Sequence, residues 1–355
     1  MAEATNPARI ELATNLSVST VADISALLAR LPGPDEDARH RCRTRESQLT
    51  KPEGALGRLE ELSAWMAGWQ GRASPRVEKP LVCVFAANHG VASRGVSAYP
   101  AEVTAQMVAN FRDGGAAINQ LARTIDAELR VFELSLDNPT GDIAAGPAMG
   151  EEEFAHAVSV GMKSVTAGCD VLCLGEMGIA NTTAAAALCQ ALFGGEPQDW
   201  TGPGTGVGGA ALAHKAEVVG QAVRVNREAL GDPLQALRCV GGRELAAIAG
   251  AILAARLMRL PVLLDGYVCT AAAAALYCAN PSALDHCRIA HVSAEPGHRR
   301  LIERLGARAL LDLGMRLGEG SGAALAVLLL KAAAACHSGM ATFAEAAVSG
   351  KSQTR

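Results

Sequence analysis

From Pro80 onward, short apolar runs alternate with alanine-rich stretches that are long enough to form helices. Continuous apolar strands that alternate with helices are typical of a mostly parallel sheet covered by helices on both faces. The pattern therefore predicts an α/β fold with a Rossmann-like central sheet. Its predicted strands are Leu81–Ala87, Leu129–Leu134, Val171–Leu174, Pro261–Leu264 and Arg288–Val292.

The two ends of the chain lack this alternation and have a helical pattern instead. Apolar residues at helical spacing predict helices near Ala22–Leu31 and Leu56–Trp69, and the segment from Ser321 onward is again helical. We expect residues 1–75 and 315–355 to form a small helical domain, packed beside an α/β domain of residues 76–314.

The composition restricts the classes of partner. Of 355 residues, 50% are hydrophobic but only 3% are aromatic, and the net charge is −4. Because nucleic-acid surfaces need basic and aromatic side chains, we expect no nucleic-acid partner. The N-terminus lacks a signal-peptide pattern, and the apolar stretch Ala323–Cys336 contains Lys331 and is short for a bilayer. We therefore expect no membrane association.

The ten cysteines lie mostly within apolar runs, for example Cys83, Cys173 and Cys269. They form no C-x-x-C pair, the spacing that would indicate a redox or zinc motif. We interpret them as buried thiols of a reducing compartment, which predicts a cytoplasmic protein.

A glycine-rich loop, Gly175–Thr183, follows the third predicted strand and precedes a helix. Backbone amides at such a turn and the free N–H groups of the helix bind anions, and Thr182 and Thr183 can cap the helix or contact phosphate. A plain strand-to-helix turn with a good cap would explain the same residues. Glu176 favours a functional site, because a carboxylate is unfavourable in a phosphate cradle unless it has another role.

A second glycine-rich loop, Gly202–Gly209, is followed by His214 and Lys215. No clear strand precedes this loop, which counts against a dinucleotide fingerprint. The pattern favours a flexible loop that closes over a ligand, with Lys215 as a cation for phosphate. A mobile surface loop remains the alternative.

A third loop, Leu313–Gly322, places Glu319 between glycines immediately before a helix. A glutamate in a mostly apolar pocket has a raised pKa and can act as a general base. The alternative is a structural glutamate that the positive end of the helix dipole favours.

A metal site could be imagined from His286, Cys287, His291 and His298. Their spacing matches no common zinc pattern, and adjacent strand residues such as His286 and Cys287 point to opposite faces. We therefore predict no metal.

Six segments, taken in order, resemble the nicotinate-nucleotide–dimethylbenzimidazole phosphoribosyltransferase family and span about residues 30–345. Each segment alone would be a weak signal, whereas six in the family's order are a strong one. They are KPEGALGRLE (Lys51–Glu60), FAANHGV (Phe85–Val91), GEMGIANTT (Gly175–Thr183), PVLLDG (Pro261–Gly266), SAEPGH (Ser293–His298) and RLGEGSGAALA (Arg316–Ala326).

The resemblance implies a homodimer in which the neighbouring subunit helps to close each active site. It implies transfer of ribose phosphate from nicotinate mononucleotide to 5,6-dimethylbenzimidazole, with small molecules as substrates and no cofactor. It assigns Glu319 as the general base and Glu176 as a second carboxylate at the reacting centre. It implies that further residues line the nucleotide (Gly178, Asn181, Thr182, Thr183, Gly204, Gly206, Lys215 and Ser293) and the base (Tyr99, Met107 and Leu317), with Gly318 and Gly320 flanking Glu319.

One position departs from the family pattern. Asn88 stands where the family has the aspartate of an Asp-His-Gly motif, so we expect no carboxylate role at this position. A nicotinamide-dependent dehydrogenase is the competing enzyme class for such a fold, but it needs a glycine-rich turn after the first strand, where this chain has Asn88-His89-Gly90. A non-catalytic nucleotide-binding module is the other alternative, and it leaves the two loop glutamates unexplained.

Overall fold

The structure is a computed structural model, and it describes residues 18–349. Within that range five parallel strands form one sheet in the order β2-β1-β3-β4-β5. The predicted α/β class and all five predicted strands are confirmed. The strands are β1 (Pro80–Ala86), β2 (Glu128–Glu133), β3 (Val171–Met177), β4 (Val262–Leu264) and β5 (Cys287–Ile289).

Helices connect the strands and cover both faces of the sheet. They are α1 (Val21–Leu28), α2 (Glu36–Glu46), α3 (Arg58–Gln70), α4 (Val103–Asp113), α5 (Ala117–Thr124), α6 (Glu151–Ser164), α7 (Asn181–Phe193), α8 (Pro197–Trp200), α9 (Gly209–Asn226), α10 (Pro233–Val240), α11 (Arg243–Leu257), α12 (Tyr267–Ala279), α13 (Pro296–Arg304) and α14 (Ser321–Gly339). Short 3₁₀ turns span Gly90–Arg94 and Pro281–Leu284.

Strand β1 shows why the sheet is buried on both sides. Its alternate residues enter two different cores: Leu81, Cys83 and Phe85 pack on one face, and Val82 and Val84 pack on the other. Side chains of a strand alternate between faces, so a strand of uninterrupted apolar residues requires two apolar covers. Helices α6, α11 and α12 belong to the first cover, and α3, α5 and α14 belong to the second.

The scarcity of aromatic residues has a structural counterpart in the first cover. Helices α6 and α11 pack so closely that a Cβ on Gly161 would lie 1.7 Å from the Ala247 carbonyl oxygen. A Cβ on Gly250 would lie 2.0 Å from the Val158 carbonyl oxygen. Glycine and alanine are therefore needed where these two helix backbones meet.

The terminal helices contact one another, as the predicted helical domain requires. His337 of α14 hydrogen-bonds Glu46 of α2, and Arg45 donates to the carbonyl of Met340. Helix α14 also covers the sheet, because Ala323 and Val327 belong to the same core as β1. The division into residues 1–75, 76–314 and 315–355 stays a prediction, and its ends, residues 1–17 and 350–355, lie outside the described range.

Helix α14 corrects one expectation. The sequence predicted a stretch that is short for a bilayer. The helix instead runs for 19 residues and is, by length and composition, long and apolar enough to cross a membrane. Half of its apolar window is buried inside the protein, where it packs against α3, α5 and the sheet. Its apolar character is thus that of a helix that contributes to the core.

The cysteines lie as the sequence predicted. All ten are free thiols, and seven of them are buried. Burial raises the pKa of Cys83 to about 12, which leaves this thiol protonated and unreactive at neutral pH.

Candidate active site

A cavity of about 470 Å³ opens at the carboxyl ends of β3, β4 and β5. This is the edge of a parallel sheet at which ligands bind in such folds. Eleven of the fifteen predicted site residues line it: Tyr99, Met107, Glu176, Gly178, Asn181, Thr182, Gly204, Ser293, Leu317, Gly318 and Glu319. The three glycine-rich loops, far apart in sequence, therefore meet in one cavity.

Four predicted residues lie behind the wall of the cavity or beside it. Thr183 is fully buried in α7, and Gly206 lies in the second loop with a φ of +114°. Lys215 is buried in α9, where its Nζ donates to the Thr182 hydroxyl (2.8 Å) and to the Gly202 carbonyl (2.9 Å). Gly320 directly precedes α14 and is packed against Gly175.

Glu176 lies on β3 itself, because the strand continues three residues beyond its predicted end. The ladder with β1 extends to Glu176 and Met177, which pair with Phe85 and Ala86. The Asn181 amide donates a short hydrogen bond to one carboxylate oxygen of Glu176. The β-ladder and Asn181 thus hold this side chain at the floor of the cavity.

The electrostatics of Glu176 favour its neutral form. Burial and then the neighbouring carboxylates of Asp265 and Glu244 raise the pKa of Glu176 to about 8. The hydrogen bond from Asn181 opposes this shift, and Glu319 adds to it. At neutral pH the side chain therefore carries a proton until a positive charge arrives nearby.

Glu319 lies next to Glu176, on the turn before α14, and its backbone amide donates to the Glu176 carbonyl (3.2 Å). Its backbone has a φ of +64°, a left-handed conformation that is unfavourable for a residue with a side chain. Its Oε2 is buried and has no hydrogen-bond partner among residues 18–349. Burial raises the pKa of Glu319, with a contribution from Asp265, while the Ile118 backbone amide opposes the shift.

A buried carboxylate missed in the sequence supports this turn. Asp265 follows β4 and accepts hydrogen bonds from the backbone amides of Ala323 (2.9 Å) and Gly320 (3.2 Å). His291 follows β5, and its Nε2 lies 3.6 Å from the Asp265 carboxylate. Both residues come directly after strands at the ligand-binding edge, which is the signal that could have identified them.

A second buried pair lies behind Glu176. His89 Nε2 and Glu244 Oε1 are 2.5 Å apart, and both side chains are inaccessible to solvent. Gly178 lies against this pair, because a Cβ there would come within 3.3 Å of Glu244 Oε1. Asn88 is buried beside His89, and its amide donates to the Leu136 carbonyl, so position 88 has a structural role here.

The second loop is tied to the other cavity walls. The Gly204 amide donates to Glu295 (2.8 Å), and Arg316 donates to the Gly204 carbonyl (2.8 Å). The Thr205 hydroxyl accepts from the backbone amide of Ala98 (3.0 Å). Burial lowers the pKa of Lys215 to about 8, and the nearby Glu295 opposes that shift.

The wall predicted to hold the base is open in the single chain. Tyr99 is 55% exposed and Leu317 is 56% exposed, whereas Met107 is only partly accessible. Val103, Ile179 and Val268 complete the apolar lining, and the sequence analysis did not identify them.

The remaining lining residues that were not predicted are the apolar Met177 at the end of β3 and six polar or small residues: Thr205, Gly266, Tyr267, His291, Glu295 and Arg316. Most follow directly from two of the recognised segments, PVLLDG and SAEPGH, or from the loop before Glu319. Several of them lie within a few residues after the end of β4 or β5, and that position is the signal that could have identified them.

Two of the three histidines in the imagined metal site, His286 and His298, hydrogen-bond to the protein, whereas the ring nitrogens of His291 have no hydrogen-bond partner among the described residues. His286 Nε2 bonds to the Ile252 carbonyl, and His298 accepts from the Ser293 amide at Nδ1. His298 Nε2 lies 3.0 Å from the Thr270 hydroxyl, so its two nitrogens are both engaged. Among the described residues no group of three His, Cys, Asp or Glu side chains is arranged to hold a metal ion.

Comparisons with known proteins agree on one family. A family model described as phosphoribosyltransferase matches residues 31–348. A nicotinate-nucleotide–dimethylbenzimidazole phosphoribosyltransferase of Sinorhizobium medicae is 59% identical over 329 residues, which cover 93% of this chain and 97% of that protein. The enzyme of the same name from Brucella anthropi is 56% identical over 92% of this chain and 97% of that protein.

Solved structures give the same result. The crystal structure of the enzyme of this name from Thermus thermophilus superposes with a TM-score of 0.83 at 42% identity. The match covers 89% of this chain and all of that one.

Proposed function

The chain belongs to the nicotinate-nucleotide–dimethylbenzimidazole phosphoribosyltransferase family, and from this premise we propose how its cavity carries out the reaction. The enzyme transfers the phosphoribosyl group of nicotinate mononucleotide to 5,6-dimethylbenzimidazole. The products are α-ribazole 5′-phosphate and nicotinate, and the step belongs to assembly of the lower ligand of cobalamin. The residue roles that follow are our proposal.

The reaction balances with side chains alone. The unprotonated ring nitrogen of the base attacks C1′ of the ribose, and the bond from C1′ to the pyridinium nitrogen breaks, with its electron pair going to nicotinate. The other ring nitrogen of the base gives up its proton. The protein must therefore place the two substrates, accept one proton and stabilise positive charge at C1′.

We propose that Glu319 accepts the proton that the second ring nitrogen of the base loses. The observation that carries this assignment is its carboxylate, which is buried in the cavity wall with Oε2 unpartnered within the described part of the chain. An unpartnered buried carboxylate is costly, and a ring N–H of the base would supply the missing donor. The raised pKa of Glu319 makes it a stronger base than an ordinary carboxylate.

Glu176 is proposed to stabilise the charge at the sugar. The pyridinium of the bound mononucleotide and the developing charge at C1′ are both positive, and either one lowers the pKa of a carboxyl group nearby. Because the pKa of Glu176 is about 8 in the protein alone, this lowering makes the group an anion at neutral pH when the substrate is bound. Its preorganised position on β3 means that little reorganisation is required.

The phosphate is proposed to lie at the start of α7. Asn181 and Thr182 form the first turn of that helix, Gly204 packs against the Thr182 side chain, and Ser293 also lines the cavity. Helix N-termini attract anions through free amides and the helix dipole. Lys215 contributes its charge from behind Thr182, to which it is hydrogen-bonded.

We further propose that the enzyme works as a cytoplasmic homodimer. Tyr99 and Leu317 border the cavity and are more than half exposed, so a second subunit would complete the apolar wall around the base. The ten free thiols support a reducing compartment.

The direct test is transfer by the purified protein. Incubated with nicotinate mononucleotide and 5,6-dimethylbenzimidazole, it should release nicotinate and form α-ribazole 5′-phosphate in equal amounts, measured by chromatography. Each substrate alone is the control. Release of nicotinate without the base would indicate hydrolysis, and no release at all would contradict the proposed function.

A further inference from the structure

The turn that carries Glu319 is unusual in its backbone. Gly318, Glu319 and Gly320 have φ values of +80°, +64° and +78°, three consecutive residues in the left-handed region. Glycine adopts that region freely, but glutamate does not. Such a conformation persists only when the surroundings hold it in place.

Asp265 provides that support from another strand. Helix α14 begins after Gly320, which has no side chain to cap the helix. The Asp265 carboxylate, fully buried, accepts the amides of Gly320 and Ala323 with different oxygens. It therefore satisfies the first free N–H groups of α14 and places a negative charge at the positive end of the helix dipole.

Two other strands clamp the same turn. On the β3 side, a Cβ on Gly175 would lie 2.3 Å from the amide nitrogen of Gly320, so the backbones are in contact. On the β5 side, a Cβ on Gly322 would lie 2.0 Å from the His291 ring. The His291 Nε2 is also 3.6 Å from Asp265.

We propose that Asp265, held beside His291, is the positioning residue for Glu319: it fixes the left-handed turn that directs this carboxylate into the cavity. Asp265 does not line the cavity itself, so it does not touch the substrate. Its charge also raises the pKa of Glu176, but removing that charge favours the Glu176 anion, so a loss of rate in Asp265→Asn has to act through Glu319. This inference rests on the proposed function and extends it by one residue pair.

The first test is Asp265→Asn. The amide keeps one carbonyl oxygen for one backbone N–H, but its NH₂ group faces the other N–H, so the cap is half broken. A misplacement of about 1 Å can cost on the order of 10²-fold in rate, so we expect kcat to fall about 10- to 100-fold. The KM for nicotinate mononucleotide should stay within about threefold of wild type, because the phosphate site lies on other loops.

A double-mutant cycle separates positioning from general damage. If Asp265 acts through Glu319, Asp265→Asn should cost no more than about twofold when added to Glu319→Gln, because the function it supports is already lost. Single-turnover measurements with excess enzyme can follow reactions as slow as that of the double variant.

Asp170→Asn is the matched control. Asp170 is also buried and also accepts two backbone amides, those of Glu78 and Lys79, each at 3.0 Å. It lies at the amino end of β3, at the opposite edge of the sheet from the cavity. Its substitution should lower the urea midpoint of unfolding, and whatever it costs in rate should be the same in both backgrounds.

His291→Gln provides a second, milder disturbance in case Asp265→Asn folds poorly. It leaves the Asp265 cap in place but removes the ring that packs on Gly322. We expect a loss of about three- to tenfold in kcat; because His291 also lines the cavity, the part that acts through Glu319 is the part that disappears in the Glu319→Gln background.

The outcomes are distinguishable. A wild-type protein that transfers no ribose phosphate overturns the proposed function. A Glu319→Gln variant with wild-type rate leaves the proposed function standing and overturns the general-base role of Glu319 together with the positioning role of Asp265. Equal losses for Asp265→Asn in both backgrounds, as for Asp170→Asn, overturn the positioning role while both earlier assignments stand.

Discussion

Glu176 and Glu319 are the same residue type in two glycine-rich segments, yet the protein holds them by opposite means. Glu176 is part of a strand, fixed by a ladder to β1 and by the Asn181 amide. Glu319 is on a turn that is unfavourable by itself and is supported by Asp265 from a different strand. The comparison teaches that a sheet can place one carboxylate directly, whereas the other depends on contacts made after the whole domain has assembled.

The two sites also differ in charge. Glu176 is surrounded by the carboxylates of Asp265, Glu244 and Glu319, and its pKa is about 8. Burial raises the pKa of Glu319 as well, although the Ile118 amide opposes that shift, and its Oε2 has no partner in the part of the chain that the structure describes. One group is thus prepared to become an anion only with substrate, while the other is ready to accept a proton.

The largest expected effect comes from Glu319→Gln. If only Glu319 takes the proton, kcat should fall by roughly 10²- to 10⁴-fold, the usual contribution of a general base, while binding of nicotinate mononucleotide is nearly unchanged. The measurement is steady-state transfer together with calorimetric binding of the mononucleotide.

1-Methylbenzimidazole is the control for this substitution, because it has no ring proton to give. The rate of ribose phosphate transfer to 1-methylbenzimidazole should be low, and it should be the same in wild type and in Glu319→Gln. A variant within about threefold of the wild-type rate with dimethylbenzimidazole would contradict the assignment of Glu319 as the general base.

Glu176→Gln should cost less, about 10- to 100-fold in kcat, because it removes one electrostatic contribution and leaves the proton acceptor in place. The wild-type kcat/KM should rise as the pH passes upward through about 8, since this parameter reports the free enzyme and Glu176 loses its proton there. This rise of kcat/KM with pH should be absent in Glu176→Gln. A pH profile that is unchanged by the substitution would contradict the role of Glu176.

The same pKa makes a prediction about stability. Unfolded Glu176 ionises near its ordinary value of 4.5, whereas the folded group keeps its proton up to about 8. The folded state therefore binds more protons between these values, so the free energy of unfolding decreases as the pH rises through this window. Glu176→Gln should remove that decrease, which urea unfolding at pH 5 and pH 9 can measure.

The sequence predicted these two sites to different depths. The apolar runs predicted all five strands, and Glu176 and Glu319 were both identified from their loops. Strand β3 was cut short at Leu174, because Gly175 and Glu176 have low strand propensity. They extend the strand since β1 offers a continuing ladder and the Gly320 backbone needs a neighbour without a side chain.

Asp265 shows what a sequence pattern cannot supply. Its segment was recognised, but a helix cap normally comes from the residue just before the helix, and Asp265 caps α14 from 55 residues away. Lys215 is a similar case, because the sequence suggested a direct phosphate ligand, whereas the folded side chain lies behind Thr182. Both facts depend on tertiary packing.

Lys215→Met tests the proposed phosphate site at the start of α7, and its expected effect on the reaction is smaller than that of either glutamate substitution. Lys215 connects the Thr182 hydroxyl to the second loop, so its loss should raise the KM for nicotinate mononucleotide about tenfold and change the KM for the base little. Equal increases in both KM values would indicate a purely structural lysine.

The smallest effect concerns the base, which lies on the Glu319 side. Benzimidazole lacks the two methyl groups of the dimethylated base, and a fully buried methylene is worth about 0.8 kcal/mol. Tyr99 and Leu317 are more than half exposed in the single chain, so each methyl should gain only part of that value. We therefore expect benzimidazole to react with a kcat/KM about three- to tenfold lower, with the difference in KM.

Leu317→Ala sharpens this last prediction, because it changes the wall next to Glu319 without touching a carboxylate. If Leu317 packs on the methyl groups, the variant should treat the two bases nearly alike while keeping its dependence on Glu319. Discrimination well above tenfold in the wild type would mean that the wall is closed during catalysis, as covering by a second subunit would produce. Dilution below the dimer dissociation constant should then reduce the discrimination, because each methyl group would again face water in the separated chain.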